Sequence, residues 1–251
     1  MLRAILARLK QGHRTMPYPK EPVQLPELFR GYPELFPKAC LPDCLECAAS
    51  CPYGAISCKG GLSLDMGKCL FCADCGAVDK GLVSFTRDHR LAASSREDLV
   101  VKAGAPRVLA RPLDRKLLGL FSRSLKLREV SAGGCNACEA DTNVLGTVGW
   151  DLGRFGIQFV ASPRHSDGLW VTGTVTENMR EATLMTYEAI PSPKIVVACG
   201  ACAINGGPFQ GSKAAGSGVD RLLPVDLYIP GCPPHPVTIL DGILRALDKI
   251  H

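Results

Sequence analysis

Four cysteines in the second half of the sequence have the residue type and spacing of a thiolate site. Cys135 and Cys138 are two residues apart behind a Gly-Gly pair, and Cys202 and Cys232 follow later in glycine-containing segments. Glycine has no Cβ, so the backbone beside these thiols can approach a bulky inorganic group. A Cys-x-x-Cys pair alone is typical of zinc, redox and iron–sulfur sites alike. Four cysteines together favour one [4Fe–4S] centre.

A second group of cysteines lies between residues 40 and 75, in two runs. The runs approximate the bacterial two-cluster ferredoxin pattern, in which three cysteines of one run and the last cysteine of the other hold each cluster. Paired Cys-x-x-Cys knuckles also bind zinc, but three-cysteine runs with a Cys-Pro end favour iron–sulfur clusters. Applied to these two runs, the pattern predicts one site with all four of its ligands, which are Cys51, Cys69, Cys72 and Cys75.

The third predicted set of ligands is incomplete. Cys40, Cys44 and Cys47 supply three thiols, but Asp79 stands where the pattern has its last cysteine. Three outcomes remain open. Asp79 ligates through oxygen, Cys58 is recruited, or the site holds a three-iron cluster or nothing. Cys58 is more typical of a small buried apolar residue.

Composition supports metal binding over disulfides. The sequence of 251 residues has 13 cysteines, and an odd count without a recognisable secretory signal argues against a disulfide framework. The net charge of +5 is mild, and we find no nucleic-acid-binding motif. No stretch approaches the roughly 20 apolar residues of a membrane span. Clustered thiols in a reducing compartment are therefore interpreted as metal ligands.

The second half of the sequence has the pattern of an α/β sheet. Short apolar strands alternate with helices, which predicts a mainly parallel sheet covered on both faces. Cys202 and Cys232 each follow a predicted strand, at the carboxyl ends where open α/β sheets bind ligands. The predicted strands are residues 155–160, 168–171, 194–198 and 225–229, and the predicted helices are residues 139–152, 176–189 and 236–249.

The N-terminal segment predicts a basic amphipathic helix. Leu2, Ile5, Leu6 and Leu9 share one helical face, and Gly12 is the predicted stop. Such a helix either lies on an anionic bilayer or docks on a protein surface.

The pattern as a whole divides the chain into four parts. Residues 1–39 form this helix and a proline-rich extended arm, and residues 40–100 form a ferredoxin-like iron–sulfur domain. Residues 101–130 form a linker with a helix over 113–126, and residues 131–251 form the α/β domain.

Two family resemblances cover nearly the whole chain. Residues 10–100 contain TMPYP at 15–19, FRG at 29–31 and the cysteine runs. They resemble the two-cluster ferredoxin subunit of membrane-bound group 4 [NiFe]-hydrogenases and formate hydrogenlyase, itself related to the I subunit of complex I. Residues 121–248 contain AGGCNACE at 132–139 and IPGCPP at 229–234. They resemble the small subunit of the same hydrogenases, related to the B subunit of complex I. The chain thus resembles a fusion of two subunits that are normally separate.

The resemblance implies a flavodoxin-like α/β C-terminal domain and a small α+β ferredoxin-like N-terminal domain. It implies that Cys135, Cys138, Cys202 and Cys232 bind the proximal [4Fe–4S] cluster, and that Cys199 is not a ligand. Two [4Fe–4S] clusters are expected, with a third of the 4Fe–4S or 3Fe–4S type. Glu139 either tunes the proximal cluster or is an acidic first-turn residue favoured by the helix dipole.

The function implied is that of an electron-transfer subunit in a membrane-associated group 4 [NiFe]-hydrogenase or formate-hydrogenlyase-like complex. The alternative is the same relay in a complex I-like quinone or ion-pumping oxidoreductase without a nickel site. The complex I B subunit has adjacent cysteines at the first position, so the spaced Cys135 and Cys138 favour the hydrogenase branch.

The resemblance also implies partners and a location. The first expected partner is a large catalytic subunit, either that of a [NiFe]-hydrogenase or one like the D subunit of complex I. An electron-donor subunit or ferredoxin and membrane subunits are expected as well, but no nucleic acid. We expect no catalytic residue on this chain, and a cytoplasmic location, peripheral on the inner face of the cell membrane.

Overall fold

A computed structural model describes residues 2–12, 14–36, 48–75 and 82–251. In the described part of the first half, an N-terminal helix is followed by two small antiparallel sheets. Strands β1 (Pro33–Leu35) and β4 (Val83–Phe85) form one, and in the other β3 (Ser63–Asp65) lies between β2 (Ile56–Ser57) and β5 (Val100–Lys102). The N-terminal helix is α1 (Leu2–Gln11), and a 3₁₀ helix (Glu97–Leu99) precedes β5. The ferredoxin-like fold of this half stays a prediction.

The second half of the chain alternates strands with helices, as expected from the sequence. The strands are β6 (Leu125–Ser131), β7 (Ile157–Phe159), β8 (Gly168–Thr172), β9 (Ile195–Cys199) and β10 (Leu227–Ile229). The helices are α2 (Arg115–Phe121), α3 (Ala137–Val144), α4 (Glu177–Ala189), α5 (Ala201–Asn205) and α6 (Pro236–Ala246), with short 3₁₀ helices at Leu152–Phe155, Pro163–His165 and Gly207–Phe209.

The five strands β6 to β10 form one parallel sheet in the order β7-β6-β8-β9-β10. Counted along the chain this is the order 2-1-3-4-5 of flavodoxin-like folds, in which the strand order reverses between the first and third strands. Every residue of β8 and β9 is buried, because helices and loops cover both faces of a parallel sheet. The prediction of a parallel α/β sheet is confirmed.

The predicted helix over residues 113–126 is wrong beyond Phe121. It begins where Asp114 accepts hydrogen bonds from the backbone N–H groups of Lys116 and Leu117, and it ends after two turns. Strand β6 follows, with Leu125 and Leu127 fully buried. Residues expected to be a linker therefore form an inner strand of the sheet, because they pair on both sides, with β7 and β8.

Other predicted boundaries also differ from the structure, the strand predicted over 225–229 among them, which begins at Leu227. The helix predicted over 139–152 begins at Ala137 and ends at Val144. The strand predicted over 155–160 is shortened to Ile157–Phe159, because its first residue belongs to a 3₁₀ helix. The helix predicted over 236–249 ends at Ala246.

The two halves of the chain share one hydrophobic core. Leu64 and Leu99 of the first half pack in the same buried cluster as Leu169 and Ile204 of the second. Ala93 exchanges two backbone hydrogen bonds with Tyr228, which covers the edge of the sheet at β10 and protects it from pairing with another chain. The relative position of the halves is therefore fixed by packing.

The proline-rich arm is held against helix α6 by a buried polar group. The Tyr18 hydroxyl donates to Asp241 Oδ1 at 2.8 Å, and Arg245 Nε donates to Asp241 Oδ2 at 2.9 Å. Burial, followed by the charge of Asp241, raises the pKa of Tyr18 far above its ordinary value, so the phenol remains protonated and donates. The predicted extended segment is thus anchored to the C-terminal helix.

Helix α1 forms as predicted, and Gly12 follows its last residue with a φ of +64°. Over the described part of the chain, no helix is both long enough and apolar enough to span a bilayer.

Candidate metal centres

The four cysteines predicted to bind the proximal cluster come together in the structure. Cys135, Cys138, Cys202 and Cys232 line one cavity of about 70 Å³. Cys135 follows strand β6, Cys138 lies in the first turn of α3, Cys202 begins α5 behind β9, and Cys232 follows β10. The cavity is therefore at the carboxyl edge of the sheet, where this fold class binds its ligands.

Two glycines bring the loops after β6 and β8 into contact at the point where the strand order reverses. Gly173 has a φ of +77°, and a Cβ added to it would lie 2.6 Å from the backbone nitrogen of Gly134. No other residue fits this approach without moving one of the loops, because real Cβ contacts are longer. The close contact positions Cys135 at the switch point of the sheet.

Two further glycines keep space beside the sulfur atoms. A Cβ added to Gly200 would lie 2.5 Å from Cys138 Sγ, and one added to Gly207 would lie 2.8 Å from Cys202 Sγ. Both residues have a positive φ, +91° and +54°, which glycine adopts without strain. The chain thus leaves room around the thiols that any larger residue would fill.

The electrostatics of Cys138 and Cys202 favour a bound cation. Burial raises the pKa of Cys138 far above its ordinary value, and the neighbouring thiols, Cys202 first, add to the effect. Burial and then Cys232 raise the pKa of Cys202 to about 11. Without a cation these two thiols are protonated at neutral pH, and a bound metal ionises them by compensating their charge. Four cysteines around one cavity are compatible with an iron–sulfur cluster.

Glu139 is buried beside the cavity, and its hydrogen bonds explain why. Glu139 Oε1 accepts hydrogen bonds from Ser131 Oγ at 2.5 Å and from Thr172 Oγ1 at 2.7 Å. Ser131 and Thr172 end strands β6 and β8 and pair in register. The carboxylate therefore joins the first turn of α3 to both strands at the switch point. That it tunes a cluster stays a prediction.

Cys199 does not line the cavity of the four thiols. It ends strand β9, is completely buried, and packs in the apolar core with Val197, Ile229 and Leu240. Cys202 instead lines the cavity. This agrees with the expectation that Cys202, rather than Cys199, belongs to the site.

The second predicted set also converges. Cys51, Cys69, Cys72 and Cys75 line one small cavity together with apolar side chains. Phe71 and Ala73, which stand between these cysteines, have positive φ values of +55° and +66°, a conformation that turns the chain around the cavity.

Backbone N–H groups point at two sulfurs of this set. The amide of Phe71 donates to Cys69 Sγ at 3.3 Å, and the amide of Ala55 donates to Cys51 Sγ at 3.4 Å. Burial raises the pKa of the Cys69 thiol to about 12, against the lowering effect of the Phe71 amide. Hydrogen bonds to sulfur of this kind stabilise thiolates and raise the potential of a bound cluster.

The third predicted set, Cys40, Cys44, Cys47 and Asp79, lies outside the described residues. Cys58 is described; it follows strand β2 and packs, partly buried, against the core. Cys58 does not line the cavity of the second set, and its role at the third set stays a prediction.

Across the described ranges, no three His, Cys, Asp or Glu side chains form a group that could hold a single metal ion. The two sets of four cysteines instead surround cavities, and the case for each site depends on that arrangement.

The loops of the two sets face one another across an open cavity of about 360 Å³. Phe71, which lies between Cys69 and Cys72 of the second set, and Cys232 of the first set both line it. Arg30 Nη1 donates to the Phe71 carbonyl at 3.1 Å and so fixes the loop on that side. The sequence motif FRG at 29–31 had indicated a resemblance but no role for Arg30.

The chain resembles known proteins mainly through its second half. Residues 135–246 match the family model described as NADH ubiquinone oxidoreductase, 20 Kd subunit. The chain is 42% identical over 135 residues to the probable membrane-bound hydrogenase subunit mbhJ of Pyrococcus furiosus, a match that covers 54% of this chain and 81% of that protein. It is 43% identical over 139 residues to formate hydrogenlyase subunit 7 of Escherichia coli, of which it spans about half, since the match covers 54% of each.

Two solved structures are also similar. One is a chain of the membrane-bound sulfane sulfur reductase, an archaeal respiratory membrane complex, with a TM-score of 0.47, 36% identity and coverage of 53% of this chain and 73% of that one. The other is a chain of an NAD⁺-reducing [NiFe]-hydrogenase, with a TM-score of 0.36, 24% identity and coverage of 51% of this chain and 94% of that one.

Proposed function

Because this chain belongs to the NADH ubiquinone oxidoreductase 20 kDa subunit family, we propose that it is an electron-transfer subunit of a membrane-associated group 4 [NiFe]-hydrogenase or formate-hydrogenlyase-like complex. Its curated relatives are subunits of a membrane-bound hydrogenase and of formate hydrogenlyase, which supports a role in an oxidoreductase complex. The chain carries iron–sulfur clusters and exchanges electrons with a large catalytic subunit.

The observation that carries the proposal is the convergence of four cysteines on one cavity. Cys135, Cys138, Cys202 and Cys232 reach it from three different strand ends. They are the proposed ligands of the proximal [4Fe–4S] cluster. When bound, such a cluster supplies one-electron transfer, at a potential set by its ligands, by hydrogen bonds to sulfur and by burial.

The protein supplies the shape of this site. Gly200 and Gly207 leave room beside two of the sulfurs, and Pro233 adds an apolar wall next to Cys232. Glu139 fixes the helix that carries Cys138 to the two strands behind it. A site held in this way keeps the reorganisation around the thiolates small, which is what electron transfer requires of a protein.

Cys51, Cys69, Cys72 and Cys75 are the proposed ligands of a second [4Fe–4S] cluster. The amides of Ala55 and Phe71 would stabilise its thiolates. A third cluster at Cys40, Cys44 and Cys47 remains part of the proposal, with Asp79 or Cys58 as the fourth ligand or with three irons. The loop between Cys69 and Cys72 and the loop that carries Cys232 line one cavity, and this arrangement supports a relay between a donor and a catalytic partner.

The proposed partners are a large catalytic subunit, an electron-donor subunit or ferredoxin, and membrane subunits. The proposed location is peripheral, on the cytoplasmic face of the cell membrane. The name of the Pyrococcus relative, a membrane-bound hydrogenase subunit, supports this assignment.

A second function is the same relay in a complex I-like quinone or ion-pumping oxidoreductase without a nickel site. The family description, an NADH ubiquinone oxidoreductase subunit, favours it. The spacing of Cys135 and Cys138 favours the hydrogenase. The sequence of the large subunit that copurifies with this chain decides between them, since two Cys-x-x-Cys pairs would supply a nickel site and their absence would exclude one.

Iron analysis of the full chain tests the cluster assignment. We expect the anaerobically purified protein to contain iron and acid-labile sulfide, and the Cys202→Ser variant to lose about four iron atoms per chain. Cys199→Ala is the matched control, because Cys199 precedes Cys202 by three residues but packs in the core, and it should retain the iron and its electron paramagnetic resonance spectrum. Zinc in place of iron, or an unchanged spectrum in Cys202→Ser, would refute the proposal.

A further inference from the structure

Helix α1 presents an apolar stripe to solvent. Leu2, Ile5, Leu6 and Leu9 are 72%, 54%, 56% and 76% exposed, and no residue of the helix is buried. Single exposed leucines are ordinary on protein surfaces, but a contiguous apolar face on one helix indicates an interaction site. The stripe is therefore a candidate binding surface, and its binding partner, or occupant, has to be identified.

The charges around the stripe indicate what that occupant is. At about 100° per residue, Arg8 lies on one flank of the stripe, and Arg3 and Lys10 lie on the other. The helix contains no acidic residue, and Arg14 follows it. The apolar face is thus bordered by positive charge on both sides, and long basic side chains can extend from such borders while their stems cover apolar surface.

The helix is attached to the body of the protein just beyond its end. Gly12 N–H donates to the carbonyl of Arg8 and closes the last turn. Thr15 Oγ1 then donates to the Val148 carbonyl at 3.0 Å, and Met16 N–H donates to the Gly149 carbonyl at 2.8 Å. Val148 is itself 79% exposed, so the surface that holds the segment after the helix presents a further apolar side chain to solvent.

We infer that α1 lies in an anionic lipid surface, with its apolar stripe among the acyl chains and its basic flanks at the headgroups. A layer of anionic headgroups supplies negative charge on both sides of the stripe at once, whereas a groove on a protein partner would have to place acidic side chains along both of its walls. The helix, ten residues long, is too short to span a bilayer, but it has the pattern of helices that lie in the interface.

The chain therefore makes its own contact with the membrane, in addition to any contact through membrane subunits. This contact does not depend on the cluster assignment, because none of its residues belongs to either cysteine set. Its binding energy combines burial of apolar side chains with attraction to anionic lipid. Both contributions are separately removable by substitution.

Vesicle flotation of the full chain, purified with its iron, tests the inference. We expect the chain to float with vesicles of phosphatidylcholine and phosphatidylglycerol, and to float much less with phosphatidylcholine alone or when the salt is raised from about 0.05 M to about 0.5 M. Leu6→Ser with Leu9→Ser should lower the partition coefficient at least about tenfold. Arg3→Gln with Lys10→Gln should lower it severalfold and weaken its salt dependence.

Met185→Ser is the matched control, because Met185 is an exposed apolar residue on a different helix, α4. The Met185→Ser variant should bind the vesicles as strongly as the unchanged chain does. Iron content reports that each variant is folded. Failure of the unchanged chain to float with anionic vesicles would overturn the inference. So would equal flotation of the Leu6→Ser, Leu9→Ser variant, or capture of α1 by a copurifying subunit without any binding to vesicles.

Discussion

Thr172 Oγ1 donates a 2.7 Å hydrogen bond to Glu139 Oε1, and this bond joins the end of strand β8 to the helix that carries Cys138. Ser131, at the end of β6, donates to the same oxygen. A buried carboxylate at the switch point thus sets the position of one side of the cysteine cavity. The two strands are rigid and fully paired there, so the helix takes its orientation from the sheet.

Removing the Thr172 hydroxyl should weaken the attachment of helix α3 to the sheet. Thr172→Val leaves a buried carboxylate with one donor fewer, and we expect the free energy of unfolding to fall by about 1–3 kcal/mol. Thr183→Val is the matched control: Thr183 is equally buried, but its hydroxyl donates only to a carbonyl of its own helix, so its loss should cost less. Anaerobic urea unfolding followed by circular dichroism measures both, and equal losses would contradict the role given to Glu139.

Gly200 should be required for the cluster at Cys135 because of the space it leaves. A Cβ at this position would lie 2.5 Å from Cys138 Sγ, so Gly200→Ala should lower the iron content by about four atoms per chain. Gly211→Ala is the control, since Gly211 also has a positive φ, +86°, but has nothing within 4 Å of an added Cβ. Strain from a positive φ is common to both variants, and Gly200→Ala has more of it because a ψ of 155° puts Gly200 in a region that essentially only glycine adopts. Iron loss in both would show that strain, not the contact with sulfur, is responsible.

Part of this structure is predictable from sequence because the signals are local. Cys202 and Cys232 follow apolar runs that form strands β9 and β10, and the carboxyl ends of parallel strands meet at one edge. Strand β6 was missed because Leu117, Phe121 and Leu125 are four residues apart, a spacing that also fits one face of a continued helix. Its identity as a strand comes from pairing with residues 157–159 and 168–172, which local periodicity does not contain.

Two buried hydrogen bonds were not predicted, for the same reason. Tyr18 and Asp241 are separated by 223 residues, and Thr172 and Glu139 by 33. Each is an ordinary residue in its own segment. Only the folded chain brings the partners together, so no sequence motif or spacing predicts these hydrogen bonds.

Glu129 should make stability depend on pH. Burial, and then the charge of Glu139, raise the pKa of Glu129 to about 7 from its usual value of 4.5, and its Oε1 is a buried atom without a hydrogen-bond partner among the described residues. The unfolded chain releases this proton near the usual value, while the folded chain keeps it up to about pH 7. Between these values the folded state binds more protons, so stability falls as the pH rises.

The Glu129→Gln variant should remove this dependence. We expect its stability relative to the unchanged chain to rise between pH 5 and 8, by at most about 3 kcal/mol. Glu181→Gln, on an exposed part of α4, controls for the loss of one negative charge. Thermal unfolding at several pH values measures the effect, and a constant difference between Glu129→Gln and the unchanged chain would contradict it.

The hydrogen bond between Tyr18 and Asp241 should hold the N-terminal arm in place. Tyr18→Phe keeps the ring but leaves Asp241, which is 1% exposed, with Arg245 as its remaining donor. We expect the free energy of unfolding to fall by about 1–3 kcal/mol and limited proteolysis within residues 17–25 to become faster, because the arm detaches more often.

A double-mutant cycle separates the hydrogen bond from the packing of the ring. If the bond holds the arm, Tyr18→Phe should lower the free energy of unfolding only slightly in a chain that already carries Asp241→Asn with Arg245→Met, because that chain has no buried charge for the phenol to stabilise. The loss caused by Tyr18→Phe should be larger in the unchanged chain than in this variant by about 1–2 kcal/mol. An equal loss in the two chains, with an unchanged rate of cleavage within the arm, would contradict this role. The arm would then be held by other contacts, such as the 3.0 Å hydrogen bond from Arg154 Nη2 to the Tyr18 carbonyl.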